Sequence, residues 1–182
     1  MGEDANPKVD FLNPFLAAIA HVLTNTIFEQ PVRDRIFLRT EYPFTTKEVA
    51  MLVGITGSLT GHVVITADLV STLKIAAKMM VQESIAVFDE NARSAMGELA
   101  NMITGQAMIG LMEKGLNCEI TPPSVVSGSG MRVSCPANIK TIVVVMKLPY
   151  GDVEVNLALA ETAKLPPSAI FEPDPRKRQR RS

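Results

Sequence analysis

Tryptophan is missing from the 182-residue chain and only 2 tyrosines are present. A platform of stacked aromatic rings for bases or sugars is therefore not expected. Cysteine is as scarce. Cys118 and Cys135 are the 2 cysteines and have no C-x-x-C spacing, which argues against a disulfide framework and fits a reducing, cytoplasmic setting. The 2 histidines, His21 and His62, fall on different predicted elements without H-x-x-x-H spacing, so no metal site is expected. There is no G-x-S-x-G elbow, and no serine or cysteine in a recognisable nucleophile setting. Ser127-Gly128-Ser129-Gly130 lacks the Lys-Ser/Thr of a phosphate-binding loop. No apolar run reaches the about 18 residues of a membrane span. The opening Met1–Asp10 is polar and acidic, unlike a signal peptide.

A strong net charge is also absent. The total is −1, yet five basic residues lie in Arg176–Arg181; taking those five away from −1 leaves −6 for the rest. A mildly acidic body argues against nonspecific nucleic-acid binding by the fold. The basic run follows a Pro-rich stretch (Pro166, Pro167, Pro173, Pro175) and reads as a solvated, disordered tail. With 47% hydrophobic residues and room to bury roughly 70% of its unfolded surface, the chain suits one domain. The organisation expected is a flexible 1–10, a folded domain over 11–162 and a Pro-rich linker with basic tail over 163–182.

Within the domain, Asn13-Pro14 predicts a helix start, with Asn as cap and Phe15, Ile19, Val22 and Leu23 at helical spacing. The helix is expected over about 13–28. Arg33–Arg39 alternates partly, with Ile36 and Leu38 as inward candidates for a short strand. Residues 48–55 and 62–66 read as a hairpin around the glycine-bounded Gly57–Gly61. Asp68 can cap a helix to Met80. A long helix is expected from Asp89 to Lys114, with Gly115 as its C-terminal stop. Cys118–Thr121 reads as a short strand and 125–134 as a flexible turn. Thr141–Leu148 (TIVVVMKL) is the strongest strand signal, paired with Val153–Leu159 across a turn. Interleaved helices and hairpins predict an α+β fold with a mostly antiparallel sheet packed against long helices.

The long helix has an unusual outer face. At 100° per residue, Ala92, Met96, Leu99, Ile103, Ala107 and Gly110 form one apolar stripe. Opposite it stand Ser94, Gly97, Glu98, Asn101 and Gly105, where an ordinary solvated face carries Lys, Arg, Glu and Gln. Glu98 and Asn101 lie about 60° apart around the axis and about 4.5 Å apart along it, so they point together. Each mid-helix glycine costs about 1 kcal/mol relative to alanine. Two readings stand on spacing alone. Either something approaches this backbone closely, or the glycines pack within the fold and the polar pair is merely solvated. Met108 and Met112 share the outer side and read as packing under a neighbouring element.

A Glu and an Asn with no metal or nucleophile beside them can complete another protein's active site. Hydrolysis of an acyl phosphate needs mainly a placed water and charge neutralisation. A neutral carboxamide can hold that water without repelling the phosphoryl group, and a carboxylate can anchor the helix to a partner lysine.

Ser94-x-x-x-Glu98-x-x-Asn101, within SAMGELANMITGQA, resembles the signature helix of the CheC/CheX/FliY chemotaxis phosphatases. A single motif preceded by Val9-Asp10-Phe11-Leu12-Asn13-Pro14-Phe15 is most similar to the CheX branch, and the hairpin Gly54–Ile65 fits it as well. The resemblance spans about Val9 to Glu161. It implies an enzyme that removes the aspartyl phosphate of a CheY-type response regulator. Asn101 would orient the attacking water and Glu98 would pair with the regulator's active-site lysine. Ser94, Gly97 and Gly105 would lie against that partner. The protein would need no cofactor of its own, the Mg²⁺ belonging to the regulator. Pro122 or Pro123 would match a proline of the family pattern. The first helix has Ala17, Ala18 and Ala20 where a second Glu/Asn pair might sit, so one site per chain is implied. So is a homodimer formed by pairing sheets, with Thr141–Leu148 as a candidate edge. The competing reading is a non-catalytic adaptor docking in a flagellar switch or signalling complex.

Overall fold

The computed structural model describes residues 11–135 and 139–165. In chain order its elements are α1 (Leu12–Ile27), β1 (Val32–Arg39), β2 (Phe44–Thr45), β3 (Val49–Gly57), β4 (Leu59–Ala67), α2 (Leu69–Met79), α3 (Glu90–Met112), β5 (Cys118–Ile120), β6 (Ser124–Ser127), β7 (Arg132–Val133), β8 (Thr141–Leu148) and β9 (Gly151–Glu161). The main sheet runs β1-β8-β9-β4-β3-β5, with β6 also paired to β3. Every pairing is antiparallel. The fold is thus the expected α+β arrangement.

Strand period explains the layers. Ile142, Val144 and Met146 of β8 stand opposite Leu157, Val155 and Val153 of β9, and all six join the core with Met51, Val53, Val63 and Ile65. Phe15, Ile19 and Leu23 of α1 and Met96, Leu99 and Ile103 of α3 close over them, each fully buried. The apolar stripe of α3 is therefore its core face. Its Gly110 serves the crossing with α1: a Cβ there would stand 3.1 Å from Pro14 Cβ. The alternate residues of the sheet make a second, mixed layer, in which Val64, Val143 and Val145 are buried beside polar side chains. Asn156 donates through Nδ2 to the Val64 carbonyl at 3.3 Å, and Arg39 meets Glu154 at 2.6 Å.

Capping follows the sequence in α2 and α3. Asp68 Oδ1 accepts from the Ser71 amide at 2.7 Å and Asp89 Oδ1 from the Ala92 amide at 2.9 Å. Gly115, at φ +79°, ends the turn after α3. Other expectations need correction. Asn13 does not cap α1, which begins at Leu12 with no side-chain cap bond. The β3–β4 link is one residue, Ser58, and Gly57 reaches φ +110° against the Asn117 backbone, where a Cβ would collide with that carbonyl. Residues 124–127 form β6 rather than part of a flexible turn. Ile36 and Leu38 stand on the core side of the sheet, opposite Val144 and Ile142. They are nevertheless 38% and 51% exposed, because β1 is an edge strand lying beyond the cover of the helices. Thr141–Leu148 is not an edge: β8 sits between β1 and β9 and is buried. The basic tail and the first ten residues lie outside the described residues.

Candidate active site

The chain leaves α3, turns at Lys114–Asn117 and comes back beside the helix as β5 and its continuation. Two backbone-level contacts anchor that return. Thr121 donates its amide to the Gly54 carbonyl at 2.9 Å, and its Oγ1 accepts from the Gly54 amide at 2.9 Å. The fit requires a glycine, since a Cβ on Gly54 would stand 3.0 Å from Thr121 Cγ2. Further on, β6 pairs with Val49–Leu52 of β3. Arg93 of α3 donates to Ser127 Oγ at 2.8 Å and lies over the Phe88 ring. The segment 120–127 is therefore pinned alongside the first half of α3.

Between them is an open furrow of about 570 Å³, lined by Ser94, Gly97, Glu98 and Asn101 on the helix and by Ile120, Thr121, Pro122 and Pro123 on the returning chain. The structure thus brings together four of the five residues singled out on the helix. It also puts both candidate prolines on the opposite wall. Gly105 lies one turn further along α3, beyond the lining. Ser94 and Glu98 are exposed and Asn101 is half-buried. Among the described residues neither the Glu98 nor the Asn101 side chain has a hydrogen-bond or ion-pair partner. Such a pair, projecting over a concavity and satisfied by none of the described residues, can bond to something that enters it.

The glycines can now be told apart. A Cβ on Gly97 would make only an ordinary 3.5 Å contact with Val125 Cγ2, and one on Gly105 would meet nothing within 4 Å. Internal packing does not demand glycine at either position. On α3, packing is tight only at Gly110, on the core stripe, where Pro14 would have to give way by a few tenths of an ångström. Ile120, Thr121 and Gly54 were not legible as site residues; a mid-strand glycine and a Pro-Pro at a strand's end were the only signals. Among the described residues no group of three or more His, Cys, Asp or Glu stands ready to hold a metal ion. A second concavity, of about 410 Å³, lies away from Glu98 between α2, Ile85 and Tyr150. Burial pushes the Tyr150 phenol up to about 12, and its Oη has no hydrogen-bond partner among the described residues. Glu29, Lys74, Lys78 and Glu83 line the cavity as well, with Lys78 ion-paired to Glu29 at 2.8 Å.

The antiparallel sheet under long helices, with one polar furrow on the outer face of the longest helix, defines a CheC-like protein. A solved CheC-like superfamily protein from Shewanella sp. PV-4 is similar, with a TM-score of 0.76 and 28% identity, covering 84% of this chain and 98% of that one. Residues 49–147 match the family described as chemotaxis phosphatase CheX. The CheY-P phosphatase CheX of Thermotoga maritima is 32% identical over 143 residues, which cover 74% of this chain and 88% of that protein. A chain in the crystal structure of the CheX–CheY–BeF3–Mg²⁺ complex from Borrelia burgdorferi is similar too, at 28% identity and a TM-score of 0.72, covering 83% of this chain and 98% of that one. The chain belongs to the CheX family of chemotaxis phosphatases.

Proposed function

We propose that this chain hydrolyses the aspartyl phosphate of a CheY-type response regulator by entering the regulator's active site with the outer face of α3. The observation that carries the reading is the Glu98/Asn101 pair, without a partner among the described residues and set over an open furrow. The Asn101 carboxamide oxygen accepts a hydrogen bond from the attacking water and aligns the water's oxygen with the phosphorus; the water's protons leave with the phosphate. A new O–P bond forms as the P–O bond to the aspartate breaks, releasing inorganic phosphate and a free carboxylate. Catalysis of this kind is positioning and electrostatics. A carboxamide suits it because an anion in that place would repel the phosphoryl oxygens. Glu98 pairs with a lysine of the regulator and sets the depth of entry. Any Mg²⁺ neutralising the phosphoryl group is held by the regulator. A CheY-type partner implies action in the cytoplasm. We also infer a homodimer, formed by pairing of β1 with β1 of a second copy, since β1 is the exposed apolar edge of the sheet.

The test follows the decay of a phosphorylated regulator over a range of concentrations of this protein. Asn101→Ala is expected to lower kcat about 100-fold or more, the scale of losing one positioning group. Glu98→Gln is expected to act mainly on KM, which an anchoring role requires. Full kcat in the Asn101→Ala protein would remove the water-orienting assignment. A wild-type protein that binds the regulator without speeding decay would favour the adaptor reading.

A further inference from the structure

Beyond Gly105 a second, separate recess of about 380 Å³ lies between α3 and the returning chain. Met108, Ile109 and Met112 line it on the helix, with Asn117, Cys118 and Glu119 opposite and Gly57 at its end. The two recesses share both walls, because the chain after α3 runs back along the helix. Asn117–Glu119 therefore face the end of α3 and Ile120–Pro123 face its beginning.

Helix geometry ties the halves together. Ser94, Glu98, Asn101, Gly105, Ile109 and Met112 fall within about 80° of one another around the axis, so they form a single stripe. Asn101 and Met112 are about 16 Å apart along it. The first half of the stripe is polar. The second half is apolar and exposed: Ile109 is 49% and Met112 59% accessible. Gly105 lies between the halves with no atom within 4 Å of where a Cβ would be. Among the described residues Ile109 and Met112 stay uncovered, whereas Leu99, Ile103, Ala107 and Leu111 on the opposite side of α3 are fully buried.

We propose that Ile109 and Met112, with the recess they line, are a docking subsite for the receiver domain of the phosphorylated regulator, taking an apolar side chain from the surface beside its phosphorylation site. This rests on the phosphatase reading for the identity of the occupant. The shared stripe of α3 selects that occupant. A domain that puts its phosphoryl group over Asn101 must lie along the same stripe, and Gly105 lets it come close to the helix between the two contacts. The polar half then does the chemistry and the apolar half supplies affinity. Methionine suits such a surface because its unbranched, polarizable side chain adapts to the partner's shape. Central apolar contacts in a recess are where association energy concentrates.

The experiment uses the full chain and a regulator loaded with a phosphate mimic for binding, or phosphorylated for decay. The double variant Ile109→Ser/Met112→Ser should bind the loaded regulator about 10-fold or more weakly. Its KM should rise in step and its kcat should stay within about 2-fold of wild type. Both side chains are exposed, so folding should be intact; Val70→Ser, on α2 and also exposed, is the control that should change neither quantity. Unaltered affinity and KM in the double variant would overturn the proposal. So would a double variant whose oligomeric state changes along with its KM, because the recess would then hold a second copy of this chain. If wild-type protein leaves regulator decay unchanged but its binding still depends on Ile109 and Met112, the docking subsite stands and the phosphatase reading fails.

Discussion

His62 shows what one residue's surroundings do to its chemistry. It lies on β4 with Nε2 3.3 Å from Cys135 Sγ, and burial holds its pKa below the usual 6.5. The folded protein therefore keeps this imidazole neutral to lower pH than the unfolded chain does. As pH falls through about 6.5 the unfolded form takes up the proton first, so stability drops with acid. A His62→Gln variant should accordingly lose less stability than wild type between about pH 7.5 and about pH 5.5, read as the shift in urea midpoint. Equal losses would assign the acid sensitivity to another group. The scarcity of histidine was visible in the chain, and so was the lack of metal spacing. The neighbour Cys135, 73 residues away in sequence, was not, because only the sheet brings them together. The glycines of α3 differ in the same way. Helix period puts Gly110 on the apolar stripe and Gly97 and Gly105 opposite it, but only the fold shows that Gly110 is the one crowded by another element, Pro14 of α1.

Elements differed in how plainly their residues announced them. α2 and α3 carry acidic caps and a 3.6-residue apolar period, and β8 and β9 carry long β-branched runs. Each of these signals is local and was read directly. β1 and β6 were harder, since strands exposed on both faces lose the alternation that marks burial. In α3 the two faces have separate tasks, and two substitutions three residues or less apart should separate them. Leu99 is fully buried on the core stripe. Leu99→Ala is expected to cost about 2–5 kcal/mol of folding free energy in urea unfolding, from lost transfer energy and the cavity left behind. Asn101→Ala, which removes a side chain with no internal partner, should stay within about 1 kcal/mol of wild type by the same measurement. A large loss in the Asn101 variant would mean that its kinetic defect reports folding rather than water placement.

For the whole molecule the main question is how the sheet ends. β1 leaves one edge of backbone groups unpaired, with Ile36 and Leu38 exposed upon it, a surface natural proteins seldom leave bare. If two copies join there, replacing both apolar residues by lysine should give monomers by sedimentation or light scattering at concentrations where the wild type is dimeric. A dimer that survives both lysines would place the interface elsewhere. The α+β class, the long helix with one sparse polar face, and Glu98 and Asn101 as the pair on it were legible in the order of residues, because helix period and capping are short-range properties. That Pro122 and Pro123 wall the furrow, that β8 is interior while β1 is the edge, and that a second recess lies beside Met112 came from the folded chain alone. These depend on which strands pair and on how the chain after α3 turns back, and long-range pairing leaves little trace in the order of residues.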